Sequence, residues 1–214
     1  MPVSTQVVPL DGRPFKALCD SGFRPNKFTG IMLLWMAQHF SNTDRIVEPG
    51  IKDRVWNSDF EQSKIQILAV EDWKPQTTEQ RPAILAKRND LKFTRFGIDN
   101  RLMGGGVPYD TRRIHVAGLQ GSHTMFCIAG EGGEAEQLAA EVSQELMKFA
   151  PIVREWLNLL RVELVSIGKL SKLEEASENF VVPVDIAYAY LEQWELSPLD
   201  VPLLTELKLF MSNN

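Results

Sequence analysis

Cysteine is scarce in this chain of 214 residues, which carries only Cys19 and Cys127. Secreted domains of comparable size more often hold several cysteines at close spacing, so the sequence predicts a reducing compartment. Long apolar runs are also missing. The longest, residues 31–37, has seven members, whereas a membrane-spanning helix needs about 20. Because the first ten residues lack the charged and apolar regions of a signal peptide, we expect neither a secretion signal nor a membrane span.

Charge of neither sign dominates the composition. The chain has 23 Lys and Arg against 28 Asp and Glu, a net charge of −5, and 44% of its residues are apolar. These values exclude a disordered chain, a collagen and a coiled coil. The acidic excess lies in residues 151–214, whereas residues 81–113 form a basic strip with eight basic and three acidic side chains. An acidic chain without a helix-turn-helix or zinc-finger pattern predicts no sequence-specific reading of DNA.

Two pairs of short strands are predicted in the middle of the chain. Residues 82–88 and 92–98 form the first pair, and the three residues between them suit a hairpin. Residues 113–118 and 123–129 form the second pair, with Gly121-Ser122 at the turn between them. Each pair predicts two neighbouring antiparallel strands.

One helix is predicted with a clear apolar face. Residues 134–149 place alanine, leucine and valine on one side, and polar residues that include Glu141 and Lys148 on the other. Pro151 is predicted to end this helix and to start a shorter one. A further helix at residues 30–39 is apolar almost all the way round, which predicts burial against another element or another chain.

The remaining signals complete an α+β fold. Further strands are predicted at residues 65–70, 161–167 and 180–194, and Pro183 predicts an edge position or a bulge for the last of them. We expect a mainly antiparallel β-sheet with a hairpin extension, covered on one face by one or two helices, with N- and C-terminal arms. The predicted division is residues 1–64 as an extended segment with one short helix, 65–196 as the α/β domain, and 197–214 as an amphipathic tail.

A glycine-rich stretch gives the sharpest enzyme signal. Gly130 to Ala135 matches the relaxed dinucleotide pattern G-x-G-x-x-A between a predicted strand and a predicted helix. However, Glu131 and Glu134 set two carboxylates where a pyrophosphate meets a helix N-terminus, and no βαβ unit precedes them. We favour a flexible connection into an acid-capped helix and predict no cofactor. A nucleotide-binding enzyme is the alternative.

Other catalytic patterns are weak in this sequence. His115, His123 and Cys127 match no closed zinc motif, so no metal site is predicted. Ser122 lies outside any G-x-S-x-G elbow of the kind that activates a serine nucleophile. Cys127 falls on a predicted interior strand, which favours a small apolar filler over a reactive thiolate.

The order of elements over about residues 80–196 resembles a known family. The stretch contains RPAILAKRN, the strands in RIHVAGLQGSHTMFCIAG, the helix in EAEQLAAEVSQELMKFAPIVREWL, and the closing VELVSIGKLSKLEEASENFVVPVDIAYAYLEQWEL. In this order it resembles the tail terminator (tail completion, neck) proteins of tailed bacteriophages. The resemblance implies a non-enzymatic subunit without a cofactor, which forms a ring, commonly a hexamer, at the head–tail neck of the virion.

The same resemblance implies the partners of such a ring. They are further copies of the chain, the tail tube, a sheath protein, and a connector or stopper protein. DNA passes through the ring without specific contact, and no membrane is involved. The implied location is the virion, after assembly in the host cytoplasm. A head-closure stopper or an adaptor of the same neck is the alternative within this group.

Charge and apolarity predict the surfaces that a ring would use. Acidic side chains would repel passing DNA, and the predicted lumen residues are Glu174, Glu175 and Glu178. The predicted subunit or partner contacts are Leu203, Leu207, Phe210, Lys87, Arg88 and Arg95. A cytosolic binding module that engages a protein through its C-terminal tail is a third interpretation.

Overall fold

The computed structural model describes residues 25–73, 81–95, 101–103, 113–173 and 179–196. Residue contacts divide the chain into two units. The main unit comprises Phe23–Lys92 with Gln120–Tyr190, and the second unit comprises Met1–Gly22, Phe93–Leu119 and Leu191–Asn214. A mixed sheet with two helices packed against it makes the fold α+β, which confirms the predicted class.

The described residues contain two α-helices and eight strands. The helices are α1 (Pro25–Phe40) and α2 (Gly132–Trp156). The strands are β1 (Gln66–Ala69), β2 (Ala83–Arg88), β3 (Lys92–Arg95), β4 (Arg101–Met103), β5 (Arg113–Ala129), β6 (Arg161–Ile167), β7 (Ser171–Lys172) and β8 (Phe180–Leu196). Three 3₁₀ turns lie at Thr43–Arg45, Pro49–Ile51 and Val70–Asp72.

The strands form one sheet with the order β1-β2-β5-β8-β6. β1 and β2 are parallel, whereas β2 with β5, and β8 with both β6 and β7, are antiparallel. β3 and β4 pair with β5, and β7 pairs with β8 on the same side as β6. Among the described strands, β1 and β6 therefore form the two outer edges of this order.

Both helices pack on one face of the sheet in the main unit. Register places Ile84 opposite Cys127 and Ala86 opposite Met125 on the face where α1 contacts His123. Strand β8 buries every second residue from Val182 to Tyr190, as a two-residue period requires. The helices contribute the other half of this core. Their large buried apolar side chains are Phe28, Met32, Met36, Phe40, Leu138, Val142 and Leu146.

A smaller apolar cluster lies on the opposite face. Ala83, Leu85, Ile128 and Val181 are buried there. Partly buried apolar side chains pack against this cluster. They are Leu68, Val70, Trp73, Phe126 and Leu173. The sheet is thus apolar on both faces at its β1–β2–β5 end, although only one face carries helices.

The first predicted hairpin is wrong. β2 and β3 exist close to the predicted limits, but both pair with β5 among the described strands. The backbone N–H of Asn89 donates to the carbonyl of Ser122 at 3.0 Å, so the chain stays beside β5 after β2 ends. The residues between β2 and β3 therefore interrupt the pairing with β5 and do not reverse the direction of the chain.

The second predicted strand pair is wrong for a similar reason. Residues 113–129 form the single continuous strand β5, and Gly121-Ser122 lies inside it. A Cβ placed on Gly121 would lie 2.5 Å from the phenol of Tyr188 on β8. Glycine at this position makes room for a buried aromatic ring across the sheet, and turn geometry plays no part.

Helix α2 extends further than its pattern predicts. It continues through Pro151 to Trp156, so the predicted helix end at this proline is wrong. Glu141, predicted to face solvent, is 1% exposed. Of the two alternatives that Pro183 predicts for β8, the edge position is wrong, because β8 lies between β5 and β6. Pro183 lies between the part of β8 that pairs with β6 and the part that pairs with β7. Its carbonyl accepts a hydrogen bond from the N–H of Gly168 at 2.7 Å.

The N-terminal part of the chain contributes to the core. Helix α1 begins five residues before the predicted start and buries phenylalanine and methionine side chains against the sheet. Ile46, Ile51 and Ile65 are buried in the same unit. The division of the chain by contacts therefore keeps residues 25–64 with the sheet, whereas the sequence assigns them to a separate extended segment.

Candidate functional site

The most concentrated group of ionisable side chains joins the two helices. His39 of α1 lies between two glutamates of α2, with Nε2 2.7 Å from Glu141 Oε1 and Nδ1 3.2 Å from Glu145 Oε1. All three side chains are buried. Each ring nitrogen therefore faces one carboxylate, so these three side chains join α1 to α2 inside the core.

Glu141 is further saturated by backbone donors. The N–H of Val47 donates to Glu141 Oε2 at 3.0 Å, and the N–H of Glu48 donates to the same oxygen at 2.9 Å. Trp35 Nε1 donates to Glu145 Oε1 at 3.3 Å. A carboxylate that already accepts this many bonds has little capacity left to act as a base. The group ties α1, α2 and the segment after α1 together, and we assign it a structural role.

A shallow cleft of about 540 Å³ opens beside this group. Its rim carries Arg45 and Lys148, and Trp35 meets Phe149 edge-on with ring centroids 4.8 Å apart. Lys148 Nζ lies 3.7 Å from Glu145 Oε2. Arg45 donates to the carbonyl of Gln38 at 3.1 Å, and Lys148 faces a carboxylate that already has partners, so neither cation is free to bind a ligand in the cleft.

His123 is buried on the helix side of the sheet. Its Nε2 lies 2.7 Å from Thr29 Oγ1, and its ring packs against Phe28 and Tyr188 with centroids 5.1 and 5.5 Å away. Burial, with a smaller contribution from Arg88, lowers the pKa of His123 to about 4. The ring is therefore neutral near pH 7. Packing and a hydroxyl contact hold the ring, and its Nδ1 is buried without a hydrogen-bond partner among the described residues.

The described residues contain no group of three or more His, Cys, Asp or Glu side chains that suits a metal ion.

Cys127 is fully buried, and burial raises the pKa of its thiol. A thiol that resists ionisation is a poor nucleophile. The prediction that Cys127 fills apolar space is confirmed.

The glycine-rich stretch borders a cleft of about 660 Å³ at the start of α2. Arg54 Nε donates to Glu134 Oε1 at 2.6 Å, so the arginine that lines this cleft is already paired. Glu131 also lines the cleft. Strand β5 runs into α2, but the next strand, β6, pairs antiparallel with β8. Strand β8 lies between β5 and β6 in the sheet order, so the two strands that flank α2 are not hydrogen-bonded neighbours, unlike the adjacent strands of a dinucleotide-binding unit.

Two of the predicted contact residues point to different faces of the sheet. Register places Lys87 opposite Thr124 and Arg88 opposite His123, and neighbouring strand residues alternate between faces. Arg88 lines a cleft of about 370 Å³ with Thr29 and other residues of α1. The backbone of Arg95 lies in β3. The structure therefore does not bring Lys87 and Arg88 together as one basic surface.

The other predicted contact and lumen residues lie outside the described residues. They are Leu203, Leu207 and Phe210 in the C-terminal tail, and Glu174, Glu175 and Glu178 between β7 and β8. Their assignment stays a prediction.

A polar row crosses the face opposite the helices, and sequence patterns did not reveal it. Asp185 of β8 accepts bonds from Thr124 Oγ1 at 2.6 Å and from Ser166 Oγ at 2.8 Å. Asn89 Nδ2 donates to Thr124 Oγ1 at 3.0 Å and to Ser122 Oγ at 3.1 Å. The row links the segment after β2 with β5, β8 and β6 through side chains. Each hydroxyl of the row donates to the carboxylate of Asp185, accepts from the amide of Asn89, or does both.

An exposed apolar surface lies at the β6 end of the main unit, and sequence patterns did not reveal it. Trp156 and Leu160, where α2 ends and the chain turns into β6, are 75% and 56% exposed. Val165 and Ile167 on β6 are 58% and 51% exposed. We call these four residues the β6 edge surface. The signal available in sequence was the high apolar content of residues 156–167, which a core strand would explain equally well.

No protein-family model matches the chain, and no curated protein resembles it in sequence. Within the part of the chain that the structure describes, no helix is long and apolar enough to cross a membrane.

Proposed function

We propose that the chain is a structural subunit that assembles into a closed ring at the head–tail neck of a tailed bacteriophage. There it ends the tail tube and joins it to the connector. The subunit works through the fit of its surfaces and catalyses no reaction. Its partners are copies of itself, the tail tube protein and a connector or stopper protein. The virion is the proposed location.

The β6 edge surface is the observation that carries this proposal. Large apolar side chains on the surface of a monomer are normally scattered, and a contiguous group marks an interface. Here two of the four residues, Val165 and Ile167, lie on an edge strand, whose unpaired backbone groups can accept a further strand. Among the described strands, none pairs with the outer side of β6. A subunit that is stable as an isolated monomer would more often protect such an edge.

The interior of the described residues supports an assembly role over turnover. The buried charged groups are paired with each other or with backbone donors. The three clefts described above have rims whose cations face carboxylates or lie at the surface. These observations favour a protein whose specific features lie on its outer surfaces.

The test is the assembly state of the purified full chain. Mass photometry and negative-stain electron microscopy are expected to show closed particles with rotational symmetry. A Trp156→Asp and Ile167→Asp double variant is expected to stay folded and to lose these particles. Leu34→Asp is the matched control, because Leu34 is 70% exposed on α1 and lies outside the β6 edge surface.

A wild-type chain that remains monomeric at every concentration would contradict the proposal. So would equal loss of assembly in the control variant, because the effect would then follow from any added charge. Circular dichroism of each variant establishes that the fold is kept.

A further inference from the structure

The two outer edges of the sheet carry opposite charge. β1 and the residues beside it, 59–72, contain four acidic side chains, all exposed, and one exposed lysine. The acidic residues are Asp59, Glu61, Glu71 and Asp72. We call this stretch the β1 edge. Phe60 in this stretch is also exposed, and the guanidinium of Arg81 lies over its ring at 5.2 Å from the centroid.

The other edge is basic. The end of α2 and the strands β6 and β7, residues 154–172, contain four basic side chains against two acidic ones. The basic residues are Arg154, Arg161, Lys169 and Lys172, and all four are exposed. Arg161 is paired with Glu163 on the same strand at 2.5 Å. The uncompensated cations therefore lie around the β6 edge surface, and mainly at its β7 end.

We propose that the β6 edge surface of one copy docks on the β1 edge of the next copy. This inference rests on the proposed function, because repetition of one such head-to-tail contact around an axis closes a ring. The apolar residues Trp156, Val165 and Ile167 supply the buried area, and Phe60 supplies an aromatic side chain on the opposite edge. The charges around them select the orientation of the contact.

Charge separates this contact from its symmetric alternatives. Two β6 edges placed together would bring lysines and arginines of both copies into proximity, and two β1 edges would do the same with carboxylates. Both arrangements place like charges against each other, which disfavours the wrong pairing. Only the heterologous pairing brings the basic edge onto the acidic one. Both edges lie within the main unit.

Two charge-reversal variants of the full chain test this pairing. Variant one carries Glu71→Lys and Asp72→Lys, so both of its edges are basic. Variant two carries Lys169→Glu and Lys172→Glu, so both of its edges are acidic. Each variant alone is expected to bind itself at least about tenfold more weakly than wild type, because every contact then joins like charges. An equimolar mixture is expected to regain assembly, since the two variants alternate around the ring.

A control variant with Asp44→Lys and Glu136→Lys changes the net charge by the same amount as variant one. Both residues are exposed and lie outside the two edges. This control is expected to assemble like wild type. Sedimentation velocity gives the association constants, and native mass spectrometry of isotopically labelled mixtures counts the copies of each variant in a particle.

The outcomes separate the inference from the proposed function. If wild type forms rings but the mixture does not recover, or if either variant alone assembles like wild type, the pairing of edges is wrong and the ring stands. If wild type forms no assembly, the proposed function fails first. Zero-length cross-linking of the rings supplies a direct readout. Cross-links from Lys169 or Lys172 to Glu71 or Asp72 of another copy support the inference. Cross-links from these lysines to the chain's own residues 197–214 would overturn it.

Discussion

Glu141 fixes the contact between the two helices through one carboxylate. It binds His39 at 2.7 Å and accepts two backbone N–H groups of the segment after α1. Because the group is 1% exposed, the energy of these bonds is not replaced by water when one partner is removed. A buried charge without its partner is among the most destabilising defects in a folded protein.

Replacement of Glu141 by alanine is therefore expected to destabilise the chain strongly. We expect the free energy of unfolding to fall by about 3–5 kcal/mol. Glu155→Ala, at an exposed position of the same helix, is expected to change it by about 0.5 kcal/mol or less. Urea denaturation of both variants measures the difference. A loss below about 1 kcal/mol for Glu141→Ala would show that the buried group contributes little.

His123 gives the chain a specific dependence on pH. Burial lowers its folded-state pKa to about 4 from the ordinary value of 6.5. Between these two values the unfolded chain binds a proton and the folded chain does not, so acid favours unfolding. The contribution of His123 to stability is fully present above about pH 6.5, is lost progressively as the pH falls toward 4, and changes no further below that value.

His123→Gln is expected to remove this part of the pH dependence. Glutamine keeps a polar group near Thr29 and does not titrate. The free energy of unfolding, measured in urea at pH 7.5, 6.0 and 5.0, is expected to fall more steeply for wild type than for the variant. Parallel curves for the two proteins would show that His123 is not held neutral by the fold.

Strand β5 shows how an element can depend on one missing side chain. The phenol of Tyr188 lies over Gly121 and packs on Phe28, with ring centroids 4.5 Å apart. Tyr188 is 1% exposed, so the ring has little space into which it can move. A side chain at position 121 would overpack this part of the sheet.

Gly121→Ala is expected to lower the free energy of unfolding by about 1–3 kcal/mol. Gly133→Ala is the matched control, because a Cβ there meets nothing within 4 Å and the position is helical. We expect the control to stabilise the chain by about 0.5–1 kcal/mol. Thermal and urea unfolding report both effects. Equal stability of Gly121→Ala and wild type would show that β8 shifts freely over β5.

At the scale of the whole molecule, the proposed assembly role predicts indifference to nucleotides. The start of α2 holds the Arg54–Glu134 pair where a phosphate would bind. NAD, FAD and ATP at millimolar concentration are each expected to leave the melting temperature unchanged. A ligand that binds the native state at 100 times its Kd would add about 2.7 kcal/mol of stability, which thermal unfolding detects readily. A rise in melting temperature that Gly132→Leu abolishes would favour the enzyme alternative instead.

Local sequence patterns predict the limits of those elements that do not depend on contacts with distant residues. β6 has the predicted limits, β1 and β8 differ by two residues or fewer at each end, and the apolar face of α2 is the predicted one apart from Glu141. Their two- and four-residue periods are properties of consecutive residues. The extension of α2 through Pro151 was missed because a proline rule is local. Packing of Val153 in the core favours the continued helix.

The sequence by itself determined the α+β class, most strands, the long helix and the burial of Cys127, because these depend on composition and on short periodic patterns. Only the tertiary structure decided that Gly121 leaves room for the aromatic side chain of Tyr188 and forms no turn. The same holds for the place of Pro183 in an inner strand and for the burial of Glu141 with His39. Each of these depends on a residue at least 60 positions away in the chain, or on the order of strands. The opposite charges of the two sheet edges likewise acquire meaning only when the strand order shows which residues are outermost.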